Sequence, residues 1–161
     1  MKVENESAGI YESNQHASGD DVINAAMDIL RQRMSRDDIM NSPESSFNYL
    51  TLKYSEQAQE VFGILILDQQ HQLLKSVELF KGTVASCNVY PRDIIRETLL
   101  VNGAAIVCYH NHPSGKVKPS NSDDEITKKI KDVCDLMDIR MLDHVIVGGG
   151  IYFSYAQNGK L

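Results

Sequence analysis

His110 and His112 are the residues whose type and spacing most clearly suggest chemistry. They flank Asn111 and follow the apolar run 104–109, which is typical of a buried strand. Side chains two positions apart on an extended segment point to the same side. The two imidazoles should therefore converge, and catalytic zinc sites use three protein ligands of this kind while a fourth position stays open.

A third ligand would have to come from the next helix, predicted from about Ser122 to Met137. Its first turn offers Asp123, Asp124 and Glu125. Acidic residues at this place also offset the helix dipole, and Ser122 with Glu125 fits a capping box. At about 100° per residue, only Asp123 shares the apolar stripe of this helix. That stripe consists of Ile126, Ile130, Cys134 and Met137. A carboxylate on a buried stripe needs a positive partner, so Asp123 is the candidate ligand and a divalent metal the candidate partner.

The elements that must position these residues alternate between strands and helices. Strands are predicted at about residues 61–67, 73–80, 104–109, 140–147 and 151–155. Helices are predicted at about residues 20–34, 91–102 and 122–137, and another runs from Pro43 into the fifties. The first two strands form a hairpin around the polar turn 68–72. This alternation predicts an α/β fold with a mixed β-sheet flanked by helices.

The first 57 residues differ in character from the rest of the chain. Residues 1–19 are polar without a sustained apolar period, which predicts a disordered tail. Asp20 or Asp21 can cap the first helix. The two helices within 20–57 each present an apolar face, which we expect to pack on the body formed by residues 58–161.

Composition and charge exclude several classes of protein. The 161 residues are 42% hydrophobic, enough for a core, and the longest apolar stretch, residues 61–67, is too short to span a membrane. No signal peptide or cysteine-pair motif is present, which predicts a cytoplasmic protein without membrane contact. The net charge is −6, whereas phosphate binding needs clustered positive charge. DNA is therefore a partner that the charge does not support.

The motifs resemble those of a known family. His110-x-His112-Pro113, six further residues and then Ser120-x-x-Asp123 resemble the JAMM signature of the MPN metalloprotease superfamily, and His110-Asn111-His112-Pro113-Ser114-Gly115 is similar to its RadC branch. The resemblance continues over about residues 58–161. The other matching segments are 60–62, 67–68, 80–83, 91–92, 119–120 and 142–148.

This resemblance implies a three-layer MPN-like fold and a zinc-dependent (Zn²⁺) hydrolase of peptide or isopeptide bonds in a peptide or protein substrate. It implies His110, His112 and Asp123 as zinc ligands. It also implies Glu60 as general acid/base and Ser120 as a hydroxyl near the oxyanion. Apart from the family pattern, a glutamate at the mouth of an apolar strand is commonly a solvated strand end. Glu78, in the neighbouring strand, is the next candidate.

Other residues near the motif are weaker candidates for a role in the site. Asn111 and Ser114 could contact substrate or brace the loop. His144, in an apolar strand, is interpreted as a core or outer-shell histidine, because a fourth protein ligand would close the site. Cys108 is interpreted as core packing, with a thiolate ligand as the alternative.

Three other functions compete with the hydrolase. Zinc deaminases require a glutamate two residues after the histidine and a Pro-Cys-x-x-Cys motif, and both are absent. The DNA-repair label of the RadC family suggests a nucleic-acid or protein binding module. However, the glycines of the helix-hairpin-helix region found in longer members are missing from the first fifty residues. A catalytically silent scaffold is the third alternative, against which the intact ligand set argues.

Overall fold

Five strands form one mixed sheet in the order β2-β1-β3-β4-β5. The structure is a computed structural model that describes residues 18–35, 43–82 and 89–161. The strands are β1 (Glu60–Leu67), β2 (Leu73–Gly82), β3 (Ala105–Asn111), β4 (Arg140–Gly148) and β5 (Ile151–Ser154). The helices are α1 (Gly19–Ser35), α2 (Pro43–Tyr54), α3 (Pro91–Leu100) and α4 (Asn121–Leu136). The predicted α/β fold with a mixed sheet is confirmed.

The hairpin between β1 and β2 forms as predicted. Asp68 organises its turn, because its side-chain oxygen accepts hydrogen bonds from the amides of Gln70 and Gln72, each 2.8 Å long. His71 adopts a positive φ of 65° within this turn. By contrast, β3 and β4 are parallel and are joined through α4, since a parallel pair needs a long crossover.

Helices cover both faces of the sheet, so the domain has three layers. β1 and β3 are buried along their whole length, which explains their continuous apolar sequences. The cluster on one face combines α2 with alternate strand residues: Phe47, Leu50 and Tyr54 with Val61, Leu65, Val107 and Val145. The cluster on the other face combines α3 and α4 with the remaining strand residues: Ile94, Ile130 and Cys134 with Phe62, Ile64, Ile66 and Ile106.

The two N-terminal helices differ in how they contact the sheet. α2 buries Phe47, Leu50 and Tyr54 directly against it. α1 packs on α2, and among its side chains at residues 19–29 only Met27 reaches the core cluster. Val22, on the apolar face predicted for this helix, is nevertheless 52% exposed, because α1 forms an outer layer over α2.

The predicted ends of these elements need small corrections. Ser18 caps α1 in place of Asp20 or Asp21: its hydroxyl accepts from the Asp21 amide at 3.2 Å, and the Asp21 carboxylate accepts from the Ser18 amide at 2.9 Å. Met137, assigned to the buried stripe of α4, is 44% exposed, because the helix has ended at Leu136. The predicted tail lies outside the described residues except for Ser18 and Gly19. No helix in the described ranges is long and apolar enough to cross a membrane.

Candidate metal centre

Three segments meet at one end of the sheet and form the candidate site. β3 ends there, and β1 begins there, because the two strands are antiparallel and Phe62 lies opposite His110. The loop after β3 leads into α4, whose first turn contains Asp123. The register of two central strands and the start of one helix therefore position the site.

His110, His112 and Asp123 are brought together as the sequence predicts. His110 Nε2 lies 3.0 Å from His112 Nε2 and 3.3 Å from Asp123 Oδ1. His112 Nε2 lies 3.5 Å from Asp123 Oδ2. One ligand atom from each residue lies within 4.8 Å of the others, a grouping that could hold a metal ion. His110 is buried, whereas the side chains of His112 and Asp123 are 18% and 13% exposed, so the group is accessible from the His112 side.

Asp123 is both the inward-facing carboxylate and part of the helix cap. Ser120, not Ser122, is the N-cap of α4, and its capping-box partner is Asp123 rather than Glu125. The Asp123 Oδ2 atom accepts from the Ser120 amide at 2.8 Å and from the Ser120 hydroxyl at 2.6 Å. Oδ1 faces His110. The cap and the candidate ligand, which are alternative interpretations from the sequence, thus fall on the same side chain.

The acidic neighbour of Asp123 faces solvent, as its helical phase predicts. Asp124 is exposed and pairs with Lys160, whose Nζ lies 2.9 Å from its carboxylate. Its other partner is the Tyr155 hydroxyl, which donates to it at 2.8 Å. Asp124 is therefore absent from the group formed by the two histidines and Asp123.

Electrostatic interactions within the group are strong. Burial would raise the pKa of Asp123, but the hydrogen bonds of His110 and His112 outweigh it and hold that pKa well below its usual range. The Asp123 carboxylate raises the pKa of His112, against the opposing effect of burial. The Lys116 carbonyl and the charge of Glu60 also raise it.

The loop after β3 orients the His112 ring. His112 Nδ1 lies 2.6 Å from the Lys116 carbonyl oxygen. A carbonyl only accepts hydrogen bonds, so Nδ1 must carry the hydrogen. The lone pair of the neutral ring is then on Nε2, the atom that faces His110 and Asp123.

Glu60 lies at the same end of the sheet as these ligands. It is 8% exposed, and within the described structure its Oε2 atom is buried without a hydrogen-bond partner. The charge of Glu60 contributes to the raised pKa of His112, so the two side chains are electrostatically coupled. A buried oxygen with no partner inside the protein is suited to a water molecule or a substrate.

Asn111 holds the backbone on both sides of Glu60. Its amide oxygen accepts from the Val61 amide at 2.7 Å, and its amide nitrogen donates to the Gln59 carbonyl at 3.1 Å. Asn111 is fully buried. The sequence left open whether Asn111 contacts substrate or braces the loop. These hydrogen bonds support a bracing role, but the segment that Asn111 braces is the start of β1 and not the loop.

The two serines near the motif lie in the loop and at the helix start. The Ser114 hydroxyl accepts from the Lys116 amide at 3.4 Å, within the loop that carries His112. The Ser120 hydroxyl donates to Asp123. Both residues are exposed.

Comparison with known proteins shows the family of this chain. The model of the RadC-like JAB domain matches residues 40–160, which include every residue of the candidate site. The chain belongs to the RadC-like JAB domain family. Two similar relatives are UPF0758 proteins of Vibrio cholerae: one is 43% identical over 151 residues, covering 94% of this chain and 95% of the relative, and the other is 38% identical, covering 94% and 96%.

Other relatives are longer than this RadC-like chain. A UPF0758 protein of Haemophilus influenzae is 48% identical over 129 residues, which cover 80% of this chain but 58% of the relative. One of Pseudoalteromonas translucida is 44% identical over 140 residues, covering 87% of this chain and 62% of the relative. The chain thus spans about three fifths of these longer proteins.

Cys108 and Glu78, the alternative ligand and the alternative acid/base of this RadC-like JAB domain, are not part of the group formed by His110, His112 and Asp123. Burial raises the pKa of the Cys108 thiol well above its usual range, and Cys108 packs in the core cluster under α3 and α4. A thiolate ligand at Cys108 is therefore disfavoured. Glu78 accepts a 2.7 Å hydrogen bond from Tyr54 and pairs with Lys53 at 3.2 Å, so it is engaged between α2 and β2.

His144 lies behind His110, and sequence reasoning missed its second partner. The ring is fully buried, and its Nε2 lies 2.9 Å from His110 Nδ1. Its Nδ1 lies 2.6 Å from the Thr127 hydroxyl. Thr127 follows Asp123 by four residues, the spacing that places two side chains on one helix face, and this spacing was the available signal.

Proposed function

We propose that this RadC-like JAB domain is a zinc-dependent hydrolase of peptide or isopeptide amide bonds. The observation that carries the proposal is the convergence of His110, His112 and Asp123 beside the buried carboxylate of Glu60. The resemblance to the JAMM signature supports the same reading. The names of the relatives specify no activity, so the reaction is inferred from the site.

The donor set fits zinc. Two imidazole nitrogens and one carboxylate oxygen are ligands that zinc accepts, whereas calcium and magnesium prefer sets made only of oxygen. The orientation of His112 by the Lys116 carbonyl presents Nε2 to the site, as expected for a ligating histidine. The partial exposure of His112 and Asp123 agrees with a position left open for substrate.

The chain's own residues would then move the protons. Zinc, when bound, polarises the scissile carbonyl and makes water a stronger acid. Glu60 accepts a proton from the attacking water on its unpartnered oxygen. It returns that proton to the nitrogen of the departing amine as the C–N bond breaks. Asn111 keeps Glu60 in place through the backbone at Gln59 and Val61.

Ser120 has a less direct role in this proposal. Its hydroxyl donates to Asp123 in the capping box, and a hydroxyl has one hydrogen to donate. To stabilise a developing oxyanion, Ser120 would have to release Asp123 and rotate toward the substrate. Its role near the oxyanion stays a prediction.

The test combines metal analysis with hydrolysis. The full chain is incubated with a library of synthetic peptides and lysine-linked isopeptides, and products are detected by mass spectrometry. We expect cleavage by the zinc-loaded wild type. Glu60→Gln should keep its zinc and lose activity by a factor of at least about 100, the usual scale of general acid–base catalysis.

Two outcomes would contradict the proposal. A wild-type protein that binds no zinc would remove the metal centre. A Glu60→Gln variant that cleaves as fast as the wild type would assign the proton transfer to another residue. Glu78→Gln serves as the matched control, because Glu78 is engaged by Tyr54 and Lys53, and it should cleave at the wild-type rate.

A further inference from the structure

A continuous chain of hydrogen bonds runs behind the candidate ligands. It begins at His110 Nδ1, which lies 2.9 Å from His144 Nε2. His144 Nδ1 lies 2.6 Å from the Thr127 hydroxyl. That hydroxyl donates to the backbone carbonyl of Asp123 at 2.5 Å. The chain therefore links one candidate ligand, on β3, to another at the start of α4.

Counting hydrogens along this chain determines the direction of each bond. The Asp123 carbonyl can only accept, so the single hydroxyl hydrogen of Thr127 points to it. Thr127 must then accept from His144, which places the hydrogen of the neutral His144 ring on Nδ1. His144 Nε2 is left as an acceptor, and His110 donates to it from Nδ1. In the neutral His110 ring the lone pair consequently lies on Nε2, toward His112 and Asp123.

Packing holds the His144 ring in this orientation. Tyr155 stacks on it, with ring centroids 5.1 Å apart and planes 15° apart. Phe62 contacts it edge-on, with centroids 5.6 Å apart. His144 and Thr127 are 0% and 2% exposed, so bulk water does not compete for their hydrogen bonds.

We propose that Thr127 and His144 are positioning residues that hold His110 in the tautomer able to bind zinc through Nε2. This inference rests on the proposed zinc site. It differs from a purely structural role, because Thr127 acts through the direction of its hydrogen bond and not only through the space that it fills. Sequence reasoning assigned no role to Thr127.

The chain offers a matched control for Thr127. Thr98 is also a fully buried helical threonine, and its hydroxyl also donates to the carbonyl four residues earlier, that of Ile94, at 2.8 Å. Thr98→Val and Thr127→Val thus remove the same helical hydrogen bond at a buried position. Only Thr127→Val also removes the acceptor of His144.

The experiment measures zinc affinity of the full chain by competition with a chromogenic chelator. Thr127→Val should weaken zinc binding about tenfold or more, the usual effect of losing a partner behind a metal ligand. Thr127→Ser, which restores the hydroxyl, should bind within about twofold of the wild type. Thr98→Val should leave zinc affinity unchanged.

A second measurement reads the tautomers directly. In the zinc-free wild type, nitrogen-15 NMR of the imidazoles should place the hydrogens of both His110 and His144 on Nδ1. The inference is overturned if the neutral His110 ring of the zinc-free wild type carries its hydrogen on Nε2 and not on Nδ1. It is also overturned if Thr127→Val binds zinc like the wild type, if Thr127→Ser is as weak as Thr127→Val, or if Thr98→Val is equally impaired.

These readouts separate this inference from the proposed function. Zinc affinity and tautomers are measured without hydrolysis, so a protein that binds zinc but cleaves nothing still tests the role of Thr127. A wild type that binds no zinc would contradict the proposed function, whereas the NMR measurement on the zinc-free chain would still decide the hydrogen-bond direction.

Discussion

At the residue scale, the two oxygens of one carboxylate face different parts of the structure. Asp123 Oδ2 accepts two hydrogen bonds from Ser120, and Oδ1 faces His110 at 3.3 Å. The cap holds the carboxylate in one rotamer before any metal arrives. Less conformational entropy is then lost when a ligand binds, which favours affinity.

Three substitutions separate the two roles of Asp123. Asp123→Ala should abolish zinc binding, because it removes a ligand. Ser120→Ala should lower the free energy of unfolding by about 1 kcal/mol, since it removes the cap, while zinc stays bound. Asp124→Ala should retain zinc, because Asp124 faces Lys160. Elemental analysis and denaturant unfolding measure these effects.

The comparison among these variants is decisive for the ligand assignment. Full zinc content in Asp123→Ala would remove Asp123 from the metal site. Loss of zinc in Asp124→Ala would show that the wrong carboxylate has been assigned.

At the scale of elements, α2 is joined to the sheet by buried hydroxyl groups as well as apolar contacts. The Tyr54 hydroxyl lies 2.9 Å from that of Tyr109 and donates to Glu78 at 2.7 Å. Gly63 makes room for Tyr109: a Cβ atom at this position would lie 2.3 Å from the Tyr109 hydroxyl oxygen. One hydrogen-bonded cluster thus links α2, β2 and β3.

This cluster predicts a pH-dependent contribution to stability. The hydrogen bond from Tyr54 holds the pKa of Glu78 below its usual range, with help from Lys53. A lowered folded-state pKa gives stability that is fully present above the unfolded-state pKa and lost as pH falls through the folded-state value. Glu78→Gln should therefore destabilise the protein at pH 7 by about 0.5–1 kcal/mol, a figure reduced for partial exposure.

The loss of stability in Glu78→Gln should shrink as the pH falls below about 4, where the carboxyl of the wild type becomes neutral like glutamine. Urea unfolding at several pH values measures it. Glu56→Gln, at an exposed position after α2, should have nearly the stability of the wild type at both pH 7 and pH 3. An equal deficit of Glu78→Gln at pH 7 and pH 3 would show that ionisation of Glu78 does not stabilise the fold.

At the scale of the whole molecule, α2 completes one face of the core. Phe47, Leu50 and Tyr54 are 3%, 0% and 2% exposed, and losing such a side chain costs about 2–5 kcal/mol. Together these losses are comparable to the total stability of a small domain, about 5–15 kcal/mol.

Two truncations test this organisation. Removing residues 1–58 should unfold or aggregate the chain, because it uncovers the face of the sheet that α2 buries. Removing residues 1–17, which are mainly polar, should change neither the melting temperature nor the zinc content. Thermal unfolding and metal analysis measure both. A soluble, folded and zinc-loaded chain from residue 59 would show that the N-terminal helices form a separate segment.

Much of this architecture could be predicted from the sequence because the signals are local. The apolar runs of β1 and β3 indicated buried strands, and Asp68 lies in a polar turn that indicated the hairpin. Helical phase separated Asp123 from Asp124 because both lie on one helix, where an angle of about 100° per residue determines the face. The two imidazoles were predicted to converge from their alternation along one strand.

Tertiary structure alone decided the contacts between distant segments. Asn111 binds Val61 across 50 positions, a contact that depends on the antiparallel register of β1 and β3. Thr127 and His144 meet only because α4 packs on β4. α1 became an outer layer because α2 already covers the sheet. Local periodicity determines which face of an element is apolar, but it contains no information on strand register or on which element packs against that face. Register and packing together determine the surroundings of the candidate metal centre.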